Sequence, residues 1–195
     1  MTVPYESKDD DVQKQLAQLS ISDKKTNMVK LNHTPRHCAG KVTIELGDIT
    51  QHNIQQIKKL NETVFPVTYN DRFYKEIVER SDYSKIAFFN DCVVGAVSCR
   101  LEIKDNERKL YIMTLGTLAP YRRFGIGGLL LNFVFSLCDK DPLINKIVLH
   151  VQINNESALN FYEHFGFERT REEEKYYKKI QPDSAYVLEK AVNNF

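Results

Sequence analysis

Val42, Ile44 and Leu46 occupy alternate positions of VTIEL, the two-residue period of a strand with one buried face. A helical period follows, with Ile54, Ile57 and Leu60 on one face and Asp48 or Thr50 as its cap. FPVTY (65–69) interrupts the pattern at Pro66, and a second helix starts at Asp71 and carries Phe73, Tyr74, Ile77 and Val78. Three strand runs come next: KIAFF, then CVVGAVSCRLEI after an Asn90-Asp91 turn, then KLYIMTLGTL after the KDNER turn. RRFGIGG opens a helix with Ile126, Leu130, Phe133 and Leu137 on one face, and KIVLHVQI is a further strand beyond the DKDP break. Asn154 or Asn155 caps a helix in which Ala158, Phe161, Tyr162 and Phe165 follow the i, i+3, i+4, i+7 spacing up to Gly166. FERTREEE and AYVLEK supply two last strands. The order βααβββαβαββ joins hairpin-linked strands to βαβ units, which predicts an α/β (α+β) domain with a mixed sheet and helices on its faces.

The first forty residues carry no such pattern. They are polar and mixed in charge, and Val12, Leu16 and Leu19 suffice for a short amphipathic turn but not for a core. Residues 1–40 are therefore read as a flexible arm and residues 41–195 as one domain. His33, His37 and Cys38 lie close together in the arm, yet they lack a fourth ligand, so no metal site is assigned. Lys+Arg of 27 against Asp+Glu of 26 leaves a net charge of +1, which gives no general attraction to nucleic acid or anionic membrane. No apolar run approaches the roughly eighteen residues of a membrane span, and no signal-peptide pattern opens the chain. Cys38, Cys92, Cys99 and Cys138 are scattered, which argues for reduced thiols and an intracellular compartment.

Glycines 125, 127 and 128 at a helix start imply a backbone that something must approach closely. A Walker A loop is excluded because Leu129 and Leu130 stand where Lys and Ser/Thr would follow. A dinucleotide fingerprint is excluded because its third glycine position is Leu130. What remains is [RQ]-x-x-G-x-[GA], formed by Arg122, Gly125 and Gly127, in which successive N–H groups and the helix dipole suit a pyrophosphate.

With a strand before it and an Asn-capped βα unit after it, this motif resembles that of the GCN5-related N-acetyltransferase (GNAT) superfamily, which binds acetyl-CoA there. YIMTLGTLAPYRRFGIG, LHVQINNESALNFYEHFGFE and YYKKIQPDSAYVLEK look like the San-type Nα-acetyltransferases of the NatE activity, and the resemblance runs from about Val42 to Glu189. It implies a GNAT fold, whose mostly antiparallel central sheet has helices on both faces. It also implies direct acetyl transfer from acetyl-CoA to the α-amine of protein N-termini, with no metal. Tyr111 and His150 match the family's catalytic positions, as a base acting directly or through water. The matching cofactor positions are Leu115, Gly116, Thr117 and Leu118, where a strand bulge frees backbone N–H groups, then Arg122, Arg123, Phe124, Gly125, Ile126, Gly127 and Gly128. A second element matches at Asn155, Ser157, Ala158 and Tyr162, with the Tyr162 hydroxyl aimed at the coenzyme sulfur. Phe65, Pro66, Val67, Tyr69, Met113, Tyr176, Tyr177, Lys178 and Ile180 match a pocket for an initiator Met followed by a hydrophobic residue.

Each position also has an ordinary reading. Gly116 serves equally as a strand terminator, Asn155 as a helix cap, Tyr162 as core packing, and Lys178 as part of a solvated face. The resemblance further implies NatA auxiliary and catalytic subunits and the ribosome as partners, and a cytoplasmic, also nuclear, location. Rival activities are lysine side-chain (including histone) acetylation, a non-catalytic CoA-binding subunit, and acetylation of small amines. The last has no need of FPVTY and YYKKI.

Overall fold

Every predicted run becomes an element of the computed structural model, which describes residues 42–104 and 107–192. In chain order these are β1 (Ile44–Gly47), α1 (Ile54–Val64), α2 (Asp71–Glu79), β2 (Ser84–Phe89), β3 (Cys92–Lys104), β4 (Glu107–Thr117), α3 (Ile126–Lys140), β5 (Ile144–Gln152), α4 (Glu156–His164), β6 (Glu168–Glu173) and β7 (Ala185–Ala191). Short 3-10 turns at Ser81–Tyr83 and Ala119–Tyr121 were not foreseen from the pattern. The arm, with His33, His37 and Cys38, lies outside the described residues, as does the Asp105-Asn106 tip of the KDNER turn.

The strands form one sheet in the order β1-β2-β3-β4-β5-β7-β6. Neighbours run antiparallel except β4 and β5, which are parallel. Asn90 and Asp91 both adopt positive φ, the geometry of a tight two-residue hairpin turn between β2 and β3. β6 (ERTREE) is nearly all exposed and charged, which suits a strand at the edge of a sheet.

Helices cover both faces. α1 and α2 bury Ile57, Leu60, Tyr74 and Ile77 over Ile86 and Ala96, forming the smaller core. The larger core packs Leu130, Val134 and Leu159 of α3 and α4 over Leu110, Ile147 and Leu149. α3 departs from the single predicted stripe: Leu129, Leu130 and Leu131 are all buried, whereas Phe133 is only half-buried. The cause is that α3 meets the sheet on one side and, on another, the rings of Phe161 in α4 and Phe165 at its C-cap.

The caps also refine the sequence reading. α1 is preceded by Asn53, not capped by Asp48 or Thr50. The Asn53 side chain instead accepts from Thr50 N at 2.8 Å and donates to Asp48 O at 2.8 Å, tying up the turn before the helix. Asn70 caps α2, accepting from Phe73 N, and Asn155 rather than Asn154 caps α4, accepting from Ala158 N.

Candidate active site

β4 and β5 pair only from Arg108↔Ile144 to Tyr111↔Val148. Beyond that point β4 stays with β3, β5 stays with β7, and the sheet opens into a cleft. The resemblance puts a bulge at residues 115–118, but the register slips earlier. Ser98 pairs with Thr114 and Cys99 with Ile112, so Met113 is the extra residue. The bulge puts Met113, with Val64, Tyr69 and Phe73, against the smaller core. Residues 115–117 keep regular register with Gly95, Ala96 and Val97. Leu118 N donates to Val94 O at 2.8 Å. By the alternation of an antiparallel pair, the N–H groups of Leu115 and Thr117 therefore point away from β3, toward the side β5 has left. The lost neighbour, rather than a bulge, frees them.

Tyr111 and His150 face each other across the mouth of this cleft. Tyr111 Oη lies 2.9 Å from His150 Nδ1 and 3.0 Å from Tyr176 Oη, and the Tyr176 ring stacks on the imidazole at 4.2 Å. On its other side, His150 Nε2 lies 2.9 Å from Glu173 Oε2. A carboxylate only accepts, so Nε2 carries a proton and, in the neutral ring, Nδ1 accepts from the Tyr111 hydroxyl. Tyr111 oxygen in turn accepts from Tyr176. Burial, then the neighbouring Tyr176, push the Tyr111 phenol well above its ordinary value, while the Arg100 guanidinium 5.5 Å over its ring opposes them. Tyr111 is thus held as a neutral hydroxyl, not a phenolate. The Glu173 carboxyl is held below its ordinary value: desolvation works against this, but the hydrogen bonds from His150, then Arg171, outweigh it. Glu173 was not foreseen. Its signal in the sequence is one glutamate among three, with nothing local to single it out.

At the other end of β4, the helix start is open. Gly125 is the N-cap of α3 with φ +78°, and no side chain caps this helix, in contrast with α2 and α4. The first intrahelical bond is Leu129 N to Gly125 O at 3.0 Å, so the N–H groups of the preceding turn face outward. Arg122 and Arg123 are exposed beside it, and Arg122 Nε donates to Thr117 O at 3.3 Å, joining the strand end to the loop. These donors fit a pyrophosphate. The other motif positions have different reasons. A Cβ on Gly127 would meet the Phe161 ring at 3.3 Å, and one on Gly128 would meet Phe165 at 3.3 Å, so both glycines seat α3 against α4. Phe124 packs on Phe89 and Ile126 is buried, which leaves only their backbone to a ligand. Gly116 is no mere terminator, since a Cβ there would stand 2.7 Å from Val64 and 2.9 Å from Phe65.

On α4, Asn155 acts as the cap, Ser157 is exposed and Ala158 is half-buried. Tyr162 is buried between Phe161 and Phe167. Burial, then Cys99, raise its phenol above the ordinary value and keep it a proton donor. On the opposite face, Phe65 meets Tyr69 edge-on at 6.1 Å, and Tyr69 stacks on Phe73 at 4.4 Å. Burial raises Tyr69, with Tyr177 and Tyr176 adding to it, so the loop after α1 and the loop after β6 converge. Tyr177 is pushed up to about 12 by burial, then by Tyr176. Val67 is half-buried and Pro66 is exposed. Lys178 is exposed and Ile180 half-buried, further along the second loop.

Residues 54–167 match the model of the acetyltransferase (GNAT) family. N-alpha-acetyltransferase 50 of Danio rerio is 54% identical over 154 residues, 79% of this chain and 92% of its own length. The probable N-acetyltransferase san of Drosophila melanogaster is 53% identical over 150 residues, 77% of this chain and 82% of its own. The structure of Arabidopsis thaliana Naa50 in complex with the bisubstrate analogue CoA-Ac-MVNAL is similar at a TM-score of 0.72 and 45% identity, covering 76% of this chain and 99% of that one. The chain belongs to the acetyltransferase (GNAT) family, in the group that holds N-alpha-acetyltransferase 50 and san.

Proposed function

We propose that this protein acetylates the α-amine of protein N-termini, preferring Met followed by a hydrophobic residue, by direct transfer with Tyr111 and His150 as the base. The observation that carries the proposal is the hydrogen-bonded run Tyr176–Tyr111–His150 at the point where β4 and β5 part. The open start of α3 follows the far end of the same strand β4, and Tyr69 and Met113 pack in the cluster under α1 and α2. Acetyl-CoA supplies the activated thioester. The N–H groups of α3's first turn, with Arg122 and Arg123, would hold its phosphates, and those of Leu115 and Thr117 would hold its pantetheine arm and carbonyl.

An α-ammonium has a pKa of roughly 7.7–8.0, against about 10.4 for lysine, so it gives up its proton far more readily to a histidine-based acceptor. The Tyr111 oxygen takes that proton, directly or through water, as its own proton moves to His150 Nδ1. Tyr162, kept neutral by burial, is the donor for the departing thiolate. The pocket of Phe65, Tyr69, Met113 and Tyr177 suits a Met side chain, whose burial is worth roughly 1.5–3 kcal/mol. The analogue held by Arabidopsis Naa50 has the peptide MVNAL, a Met followed by an apolar residue, which supports this preference. The family resemblance supports NatA-type subunits at the ribosome as partners.

Acetyl transfer to Met-Leu, Met-Lys, Ser-Glu and N-blocked lysine peptides tests this reading. The expected result is fastest transfer to Met-Leu, lowered on the order of 100-fold in His150→Ala and Tyr111→Phe. Equal or faster transfer to the lysine peptide moves the side-chain activity ahead. Binding of acetyl-CoA without transfer to any peptide refutes the enzyme reading.

A further inference from the structure

We infer that Glu173 is a positioning residue for His150: its carboxylate fixes the tautomer that leaves Nδ1 free for Tyr111, and it stabilises the ring cation formed when the proton arrives. The inference rests on the proposed base. Glu173 ends the edge strand β6, two strands away from β5. It is in register with Ala185 of β7, which is in register with Gln152 of β5. Register partners share a face, and His150 is in register with Val187, itself in register with Arg171, so Glu173 lies diagonally across from His150, and the low methyl of Ala185 leaves room for the two longer side chains to meet. Glu173 divides its oxygens. Oε2 takes His150 Nε2 at 2.9 Å, and Oε1 takes Arg171 Nη2 at 3.1 Å and Nε at 3.3 Å. Arg171 is itself held by Glu189 of β7 at 3.3 Å. The carboxylate is therefore aimed from behind, and its free edge points at the imidazole.

The charged and titratable groups around His150 are Tyr111 from β4, Tyr176 from the loop after β6, and Glu173 from β6. Arg171, Glu189, Arg100 and Glu102 stand one layer out. Glu173 is the anion in direct contact with the ring, on the side away from Tyr111. As a proton moves from the substrate ammonium to the Tyr111 oxygen, and the Tyr111 proton to Nδ1, the ring gains one positive charge between Tyr111 and Glu173. Without the carboxylate that cation is less stable, the base is weaker, and the ring is free to take the other tautomer.

Loss of the carboxylate removes what orients the ring and what stabilises the cation it becomes as the proton arrives, so kcat falls while coenzyme binding stands. The experiment is kcat and KM of acetyl transfer to a Met-Leu peptide by the full chain as wild type, Glu173→Gln, His150→Ala and the double variant. Glu173→Gln is expected to lower kcat about tenfold and to leave KM for acetyl-CoA unchanged. Added to His150→Ala, it should change nothing further. If His150→Ala collapses activity but Glu173→Gln leaves kcat in place, the positioning role is overturned and the base stands. An equal loss from Glu173→Gln in both backgrounds also overturns it. Wild-type turnover in His150→Ala refutes the base itself, a separate failure.

Discussion

The start of α3 and the cleft between β4 and β5, the two halves of the proposed site, are built in opposite ways. The first is contiguous: Arg122 to Gly128 supply an open helix end, and the groups that matter are backbone N–H atoms set by local conformation. The second is assembled from distant pieces. Tyr111 comes from β4, His150 from β5, Glu173 from β6 and Tyr176 from the loop beyond, and the parting of a parallel strand pair brings them together. A contiguous site is secured by one glycine's freedom, whereas an assembled one depends on how strands register and how closely loops approach. Substitutions that separate conformational glycines from packing glycines test the difference.

Gly116 should show the largest effect on stability, because it is where the loop after α1 rests on β4. Its Cβ in Gly116→Ala would stand 2.7 Å from Val64 Cγ1 and 2.9 Å from Phe65 Cζ. Neither contact is tolerable, so both half-buried side chains must shift. Overpacking of this kind costs about 1–3 kcal/mol, read as a lower urea midpoint. Because Phe65 must move, KM for a Met-Leu peptide should rise more than KM for acetyl-CoA. Equal rises would mean that Gly116 serves the coenzyme alone.

The two halves also differ in how far they could be read from the chain. The elements, their order and the phosphate motif were legible, because hydrophobic periods and glycine spacing are local. Tyr111 and His150 were placed by resemblance, and their contact required only that their strands part. Glu173 was not legible. Among Glu172, Glu173 and Glu174, the one that faces the cleft depends on a register shift between Arg169 and Arg171, which resets the facing of the end of β6. The bulge was misplaced for the same reason, since the slip at Met113 shows only in the pairing with β3. The three glycines of the motif looked equivalent in sequence but are not.

Gly125→Ala and Gly127→Ala separate those glycines with a smaller effect. Gly125 has room for a side chain but sits at φ +78°, where an L residue costs about 1–2 kcal/mol. The strain falls on the turn whose N–H groups would hold the coenzyme phosphates in the proposed site, so KM for acetyl-CoA should rise several-fold with the melting temperature only modestly lowered. Gly127→Ala places a methyl 3.3 Å from the Phe161 ring, a contact that a small ring shift relieves, and alanine favours the helix by about 1 kcal/mol. It should be nearly neutral for both stability and KM. A KM rise equal to that of Gly125→Ala would assign Gly127 to the ligand as well.

The smallest effect belongs to the two asparagine caps, and it addresses the remaining ambiguity on α4. Asn70 and Asn155 make the same bond, each accepting from the N–H three residues on, at 3.0 and 3.2 Å. Both are exposed, so alanine at either should cost about 1 kcal/mol in unfolding free energy. They differ in position, because Asn155 follows β5 and Asn70 opens α2 beside Tyr69 and Phe73. If Asn155 is only a cap, the two variants should match in stability loss and leave KM for acetyl-CoA alone. If its amide also reaches the coenzyme, Asn155→Ala should raise that KM by a factor that Asn70→Ala does not show. Stability cancels between the pair, so the difference in KM isolates the contact.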